Sequence, residues 1–261
     1  MLEDRSNFAI AMGIMRRLRA PGGCPWDAEQ THESLKRYLI EECYEVIEAI
    51  DRADDPLLCE ELGDLLLQPL FHAAIAEERG AFTIDDVLST LSAKLVRRHP
   101  HVFGQQDIRT SEEQVANWEN IKKEEKGEER KNVLSGVPPH LPALMKAQKI
   151  TEKAARVGFD WEHTDQVFAK VQEELGELEE AMLDQSDERI QAELGDLLFA
   201  IVNLGRFLSV DPEEALRKTI KRFERRFGFI ESTLQENGAH IKDASTDQME
   251  ALWQRAKELG L

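Results

Sequence analysis

No run of 18 or more apolar residues occurs anywhere in the 261-residue chain, which argues against a membrane-spanning helix. The first residues, Met1-Leu-Glu-Asp-Arg, lack the basic and apolar regions of a signal peptide, and a cytoplasmic protein is expected. Cysteine is scarce. Cys24, Cys43 and Cys59 make no CxxC pair, which argues against a disulfide framework or a zinc site and suits a reducing compartment. Positive charge is outweighed, with 33 Lys and Arg against 51 Asp and Glu for a net charge of −18. A nucleic-acid polymer demands a basic face and is therefore not an expected partner. A small polyphosphate stays compatible, provided that metal ions and a few local cations overturn the field. Period-two alternation is also nearly missing, so strands are not expected.

What is present is helical periodicity almost throughout, which predicts an all-α fold. Leu39, Cys43, Val46 and Ile50 make one apolar stripe, and Val171, Leu175, Leu178 and Met182 make a later one. Asp55-Pro56 and Asp211-Pro212 each place an acid at the N-cap before proline at the first helical position. Ser111 with Gln114 reads as a capping box, as does Thr83 with Asp86 more loosely. The stretch from Gly127 to Pro142 is charged and then rich in Gly and Pro, as linkers are. The expected organisation is a domain over 1–128, a linker over 129–142 and a second domain over 143–261.

The two domains read as copies. Glu41-Glu42-x-x-Glu45 and Glu61-Leu62-Gly63-Asp64-Leu65-Leu66 return as Glu173-Glu174-x-x-Glu177 and Glu193-Leu194-Gly195-Asp196-Leu197-Leu198, every acid displaced by the same 132 residues. Further out, Lys94-x-x-Arg97-Arg98 matches Arg222-x-x-Arg225-Arg226, Trp118 matches Trp253, and Cys24-Pro25-Trp26-Asp27 faces Gly158-Phe159-Asp160-Trp161.

In so acidic a chain a lone EExxE string is ordinarily a solvated helix face. The ExxD strings differ, because Glu193 to Leu204 (ELGDLLFAIVNL) is apolar nearly all round and is expected to be buried. Its polar members Glu193, Asp196 and Asn203 share one face, as Glu61, Asp64 and Gln68 do in the first copy. Buried ionised carboxylates cost several kcal/mol unless paired or metal-bound. Glu174 and Glu177 lie on one face of the preceding helix, and the short connection Asp184 to Asp187 turns the chain back antiparallel, so both acid pairs converge. Gly63 and Gly195 are expected to let the helix backbones approach. Four hard oxygen donors suit Mg²⁺ or Mn²⁺. The alternative is an ion-pair network in which Lys and Arg neutralise the quartet. Di-iron carboxylate sites use Glu-x-x-His, and here Glu45, Asp64, Glu177 and Asp196 stand where that histidine belongs.

EExxE, a gap of about fifteen residues, ExxD, a K/R-x-x-R-R helix and a late Trp together resemble the MazG family of nucleoside triphosphate pyrophosphohydrolases. The tandem arrangement, with CPWD early and Arg97 to Phe103 (RRHPHVF) closing the first basic helix, is similar to the family's two-domain bacterial members. The resemblance covers nearly the whole chain. It implies two tandem helical-bundle domains, a homodimer, and Mg²⁺-dependent hydrolysis of (d)NTP to (d)NMP and pyrophosphate. Under it, Glu174, Glu177, Glu193 and Asp196 hold the metal, and Glu173 orients or deprotonates the attacking water. Arg222 and Arg226 grip phosphates, and Trp253 offers a base-tolerant stacking face or a packing aromatic. Arg222 stands where the family commonly has Lys.

The acids match one for one, but their surroundings do not. Lys170 corresponds to Tyr38, and Arg189 to Leu57, and both basic residues could meet a triphosphate. Pro69 falls inside the first copy's acid helix, where proline removes a backbone bond and kinks the helix. The second copy is thus expected to carry hydrolysis, and the site of Glu42, Glu45, Glu61, Asp64, Lys94 and Arg98 to be weak. Competing readings are a relative restricted to dUTP or phosphoribosyl-ATP, and a non-catalytic nucleotide-sensing scaffold.

Overall fold

The computed structural model describes residues 6–105, 108–110, 113–114, 117–118, 121, 125 and 132–261. Among these there is no β-strand, as the periodicity predicts. The chain divides into two compact units, Met1–Glu125 and Lys126–Leu261. Met1 to Arg5, Ser111 with its expected capping role, and residues 129–131 of the expected linker lie outside the described residues. None of the helices among the described residues is long and apolar enough to cross a membrane.

The first unit contains α1 (Asn7–Arg19), α2 (Pro25–Glu29), α3 (Lys36–Arg52), α4 (Asp55–Glu78), α5 (Ile84–Arg98) and α6 (Pro100–Phe103). Helices α3 and α4 form a hairpin, and α1 and α5 pack on α4. The C-terminal half of α4 is enclosed, with Leu70, Phe71, Ala73, Ala74 and Ile75 in one core with Met12 and Met15 of α1. Two ion pairs fasten α1 to the end of α4, Arg16 to Glu77 at 2.8 Å and Arg19 to Glu78 at 2.7 Å. The acids lie in the N-terminal half of α4, which that core does not cover.

The second unit contains α7 (Ala143–Ala155), α8 (Thr164–Leu183), α9 (Asp187–Phe207), α10 (Pro212–Glu236), a short 3₁₀ turn (Ile241–Asp243) and α11 (Thr246–Glu258). Helices α8 and α9 form the corresponding hairpin, α7 packs on α9, and α10 packs chiefly on α11. The duplication is visible in the turns. Ala53 and Gln185, 132 residues apart, both adopt left-handed φ near 50°. The next residues in register cap the returning helix: Asp54 accepts from Leu57 N, and Ser186 from Arg189 N. A non-glycine residue pays roughly 1–2 kcal/mol in that conformation. The tight return is therefore imposed by packing the two helices together.

Several expectations change in detail. The cap of α4 is Asp54, with Asp55 and Pro56 already inside the first turn, whereas Asp211 caps α10 as expected. Thr83 and Asp86 make a full reciprocal box. Pro69 lies inside α4 as expected, and the helix continues through Glu78. The proline lies on the exposed side, where the carbonyl it leaves unbonded can meet water. Helix α9 is not buried all round, since Leu194, Leu198, Phe199 and Ile201 are exposed while Ala200 and Val202 are buried. A single hairpin covers only one side of such a helix. Nor do Gly63 and Gly195 mediate close approach within the unit. A Cβ built on either meets nothing within 4 Å, because both lie on that uncovered side.

Candidate metal and nucleotide site

In each hairpin the helical spacing brings the acids together. Carboxylate oxygens of Glu42 and Glu45 on α3 and Glu61 on α4 lie within 4.8 Å of one another. Burial raises the Glu42 carboxyl above its usual range, and the charges of Asp64, Glu45 and Glu61 raise it further. Glu61 is raised by partial desolvation and then by Glu45 and Asp64. Among the described residues no Lys or Arg forms an ion pair with these four acids. Among the described residues, then, no cation supports the ion-pair alternative for the first quartet.

The second quartet is built the same way with one addition. Glu174 and Glu177 on α8 and Glu193 on α9 lie within the same 4.8 Å limit. Glu174 is buried, and the Lys170 ammonium one turn earlier reaches it at 2.7 Å and Glu173 at 2.8 Å. Hydrogen bonds to Glu173 and then Glu174 hold Lys170 protonated well above the usual lysine range. Glu177 is still pushed up by desolvation and by Glu174, against the opposing influence of Lys170. One lysine thus offsets part of a charge that four carboxylates create. Ligands on an octahedral Mg²⁺ at about 2.1 Å stand about 3–4 Å apart, a spacing near that of the oxygens in either cluster. Hard oxygen donors and their mutual repulsion fit a divalent metal.

Asp196, the fourth acid, lines a cleft of about 660 Å³ together with Lys170 and Glu174. On α9 the cleft is lined by Asp196, Phe199, Asn203 and Arg206, and its other lining residues include Ile150, Ala154 and Phe159 to Trp161. Arg206 donates from Nη1 and Nη2 to the Asp160 carboxylate and from Nε, at 2.9 Å, to Asn203 Oδ1. That pairing holds the Asp160 carboxyl below its usual range. Val133 and Leu134 also line the cleft, and Lys153 Nζ pins their turn through the Ser135 carbonyl at 2.8 Å. Part of the Gly/Pro-rich stretch is thus a wall of this cavity.

The remaining candidates are not drawn into the cluster. Arg189 pairs with Asp184 at the hairpin turn. Arg222 donates to Thr219 Oγ1 at 3.0 Å. Arg226 donates from Nε to the Leu261 carbonyl at 2.7 Å and lies 5.5 Å from the centre of the Trp253 ring, which also packs against Phe223 at 5.1 Å. In the first unit Arg98 is bound by Glu125 at 2.6 Å, with Lys94 one turn earlier on α5. The Trp118 indole donates to the Arg98 carbonyl at 2.9 Å. Hydrogen bonds from the Arg98 and then the Arg97 guanidinium hold the Glu125 carboxyl down at about 2.

The wall residues Ile150, Ala154 and Phe199 carry no chemistry of their own and were not singled out by motif. Their signal is the 132-residue register, which sets Asn203, Arg206 and Phe199 against Phe71, Ala74 and Leu67. The first unit fills the corresponding space: Trp26 meets Tyr38 and Phe71 edge-on at 5.9 and 6.3 Å, and Phe71 is buried.

Comparison with known proteins agrees with this duplication. The model of the MazG nucleotide pyrophosphohydrolase domain matches twice, over residues 30–103 and 163–227. The nucleoside triphosphate pyrophosphohydrolase/pyrophosphatase MazG of Thermotoga maritima is 49% identical over 250 residues, covering 96% of this chain and 95% of that protein. The nucleoside triphosphate pyrophosphohydrolase of Escherichia coli K12 is 45% identical over 250 residues, covering 94% of each. Uncharacterized protein YabN of Bacillus subtilis is 50% identical over 252 residues, which is 96% of this chain and 52% of that protein.

Proposed function

The chain belongs to the MazG family of nucleotide pyrophosphohydrolase domains, and from that premise we propose that it hydrolyses nucleoside triphosphates to nucleoside monophosphate and pyrophosphate, chiefly in its second unit. The observation that carries this reading is one place where a carboxylate cluster, a charged lysine and a nucleoside-sized cleft meet. Glu174, Glu177, Glu193 and Asp196 are the residues that would hold Mg²⁺, with Mn²⁺ as substitute. The metal supplies charge neutralisation on the phosphate oxygens. Water adds to the α-phosphorus, the bond from that phosphorus to the α–β bridging oxygen breaks, and pyrophosphate departs with the electron pair. Glu173, at the exposed end of the Lys170 bridge, accepts the water's proton. Lys170 faces the phosphates, and its positive charge grows in value as charge moves onto the leaving group.

Arg222 and Arg226 are phosphate ligands in this reading, and Arg189 becomes one on exchanging Asp184 for the substrate. For the base, the sequence nominates Trp253, and the aromatic cleft is the other surface available. Either gives the broad base tolerance expected of stacking without a dedicated hydrogen-bond code. The first-unit cluster of Glu42, Glu45, Glu61 and Asp64 binds a cation without supporting turnover, because Tyr38 replaces the lysine.

The chain is also proposed to act as a homodimer. Leu62 and Leu66 are exposed in the first unit, as are their counterparts Leu194 and Leu198, and contiguous apolar faces of this kind mark interfaces. Mass measurement in solution should return twice the chain mass. Pyrophosphate release from a panel of ribo- and deoxynucleoside triphosphates with Mg²⁺ tests the activity, and EDTA should abolish it. Zero release across the panel would sink the enzyme reading.

A further inference from the structure

We infer that His32 and His72 form a pH-sensitive latch, which holds the α2–α3 connection of the first unit onto α4 and releases it when both rings carry a charge. The two Nδ1 atoms stand 2.8 Å apart, a separation that needs a proton between them. The ring planes are 15° from parallel and the ring centres 5.1 Å apart. The centres are thus farther apart than the nitrogens by about the width of one ring, so the imidazoles meet edge to edge. One ring carries its hydrogen on Nδ1 and donates, and the other accepts at Nδ1 and carries its hydrogen on Nε2. A first added proton goes to the free Nε2 of the donor and leaves the bond in place. A second has only the accepting Nδ1 lone pair to take. The bond is then lost, and two like charges stand side by side.

The surroundings favour this response. Burial lowers the His72 imidazole below its usual range, and the charge of His32 lowers it further. The charges on the neighbouring helices are engaged elsewhere. Arg16 and Arg19 of α1 hold Glu77 and Glu78 of α4, and Lys36 of α3 holds Glu33 of the connection. Arg37 lies over the ring of its neighbour Tyr38, and Asp86 of α5 is taken up by the Thr83 cap. Neither Asp27 nor Glu29 of α2 is among the charges that act on His72. No third histidine, cysteine, aspartate or glutamate among the described residues lies close enough to make the pair a metal site.

The connection is otherwise tied largely to itself. Ser34 Oγ donates to Gln30 Oε1 at 2.8 Å, Gln30 Nε2 to the Trp26 carbonyl at 2.8 Å, and the Thr31 backbone N–H to Ser34 Oγ at 3.0 Å. Arg19 holds it from the α1 side through the Asp27 and Gln30 carbonyls. The histidine pair makes the corresponding hydrogen bond on the α4 side. Leu35 stays in the core, so release is local. His72 directly follows Phe71, on which Trp26 packs, and letting go there uncovers the space that the first unit fills and the second leaves open. Thr164 and Leu204 stand in the register of His32 and His72, so the second unit has no such latch. A histidine held below its ordinary value contributes stability that is present above about pH 6.5 and is lost as pH falls.

Hydrogen exchange of the whole protein, read by mass spectrometry and corrected for intrinsic exchange, tests the latch at about pH 7.5 and about pH 5.5, on either side of the ordinary histidine range. Protection over residues 30–36 should fall about tenfold in acid, while the matching segment 162–168 changes less than about twofold. His32→Asn sets an amide where Nδ1 stood, bonds to His72 in either charge state, and should keep the acid loss below about twofold. His72→Phe should lower protection equally at both pH values. An unchanged wild type, an acid loss in His32→Asn as large as that of the wild type, or full protection in His72→Phe overturns the latch. Nitrogen NMR of the histidine rings in the unaltered protein gives a second reading. One Nδ1–H and one Nε2–H tautomer are expected for the pair at neutral pH, and two Nε2–H rings would refute the shared proton.

Discussion

The two units share a hairpin, a turn, a cap and a carboxylate cluster, yet they spend the space beside the cluster differently. In the first unit Trp26, Tyr38 and Phe71 pack together there, and Phe71 joins a core with Met12, Met15 and Leu70. In the second, Lys170, Asn203 and Arg206 line an open cleft whose aromatic wall stays exposed. Under the proposed function, a carboxylate cluster is thus separable from a substrate site. On that reading a cation cluster needs only helical spacing and a tight turn, whereas the proposed nucleotide site also needs a lysine at the phosphates and an unfilled cavity. Buried aromatic surface stabilises the first unit at roughly 25 cal/mol per Å², and the second forgoes that gain where the cleft stands open.

The contrast breaks most sharply at the buried acid. Glu174→Ala should lower pyrophosphate release by about 10³-fold, of the order seen when a charge-stabilising group is removed, and Glu42→Ala should change it less than about threefold. Loss of turnover in Glu42→Ala alone would reverse the assignment of the units. Next in size is a stability effect: Phe71→Ala should cost about 3 kcal/mol or more, as aromatic truncation in a core does. Asn203→Ala at the same register should stay below about 1 kcal/mol. Denaturant unfolding followed separately for each variant checks both figures.

Lys170→Met should then reduce kcat by about 10²-fold, and Tyr38→Lys should not restore activity to the first unit, because the lysine alone leaves Phe71 in the space of the cleft. Turnover in a Glu174→Ala, Tyr38→Lys double variant would show that the cleft is dispensable. The smallest effect is one of pH. Glu42 and Glu61 have folded values above the ordinary carboxylate range, so the folded first unit holds those protons more tightly than the unfolded chain. With EDTA present, that contribution adds stability as pH falls through the raised values and is lost as pH rises. Mg²⁺ competes with the same protons and should bind more tightly as pH rises. Glu42→Gln should flatten both trends, read as Tm against pH with and without Mg²⁺; an unaltered slope would show that the cluster is not their source.

Much of this was legible in the chain. The helices follow from apolar periodicity, the duplication from one constant offset, and the acids from their spacing, since residues three or four apart on a helix must share a face. Lys170 and Tyr38 were also legible, as a mismatch within matched motifs. Three things were not. Burial of α9 was inferred from its composition, but Leu194 and Leu198 face outward because one hairpin covers only one side. The glycines at 63 and 195 suggested close helix packing, yet they lie where no helix of the same unit approaches. The roles of Arg222, Arg226 and Trp253 come from the family resemblance, and spacing along the chain does not place them relative to the acids. They lie on α10 and α11, and among the described residues no ion pair links either arginine to the cluster.

Sequence by itself determined what depends on local geometry: helix positions, the reciprocal cap at Thr83, the left-handed turns' equivalent places, and the convergence of each carboxylate set across a short hairpin. Tertiary structure alone decided which cluster adjoins a cavity, which way Asn203 presents its amide, and that Val133 and Leu134 close a wall. Local spacing fixes directions along one helix. A cavity is the space that several helices leave between them, and whether a phenylalanine or an asparagine faces it sets whether it is filled by core or left open to a ligand.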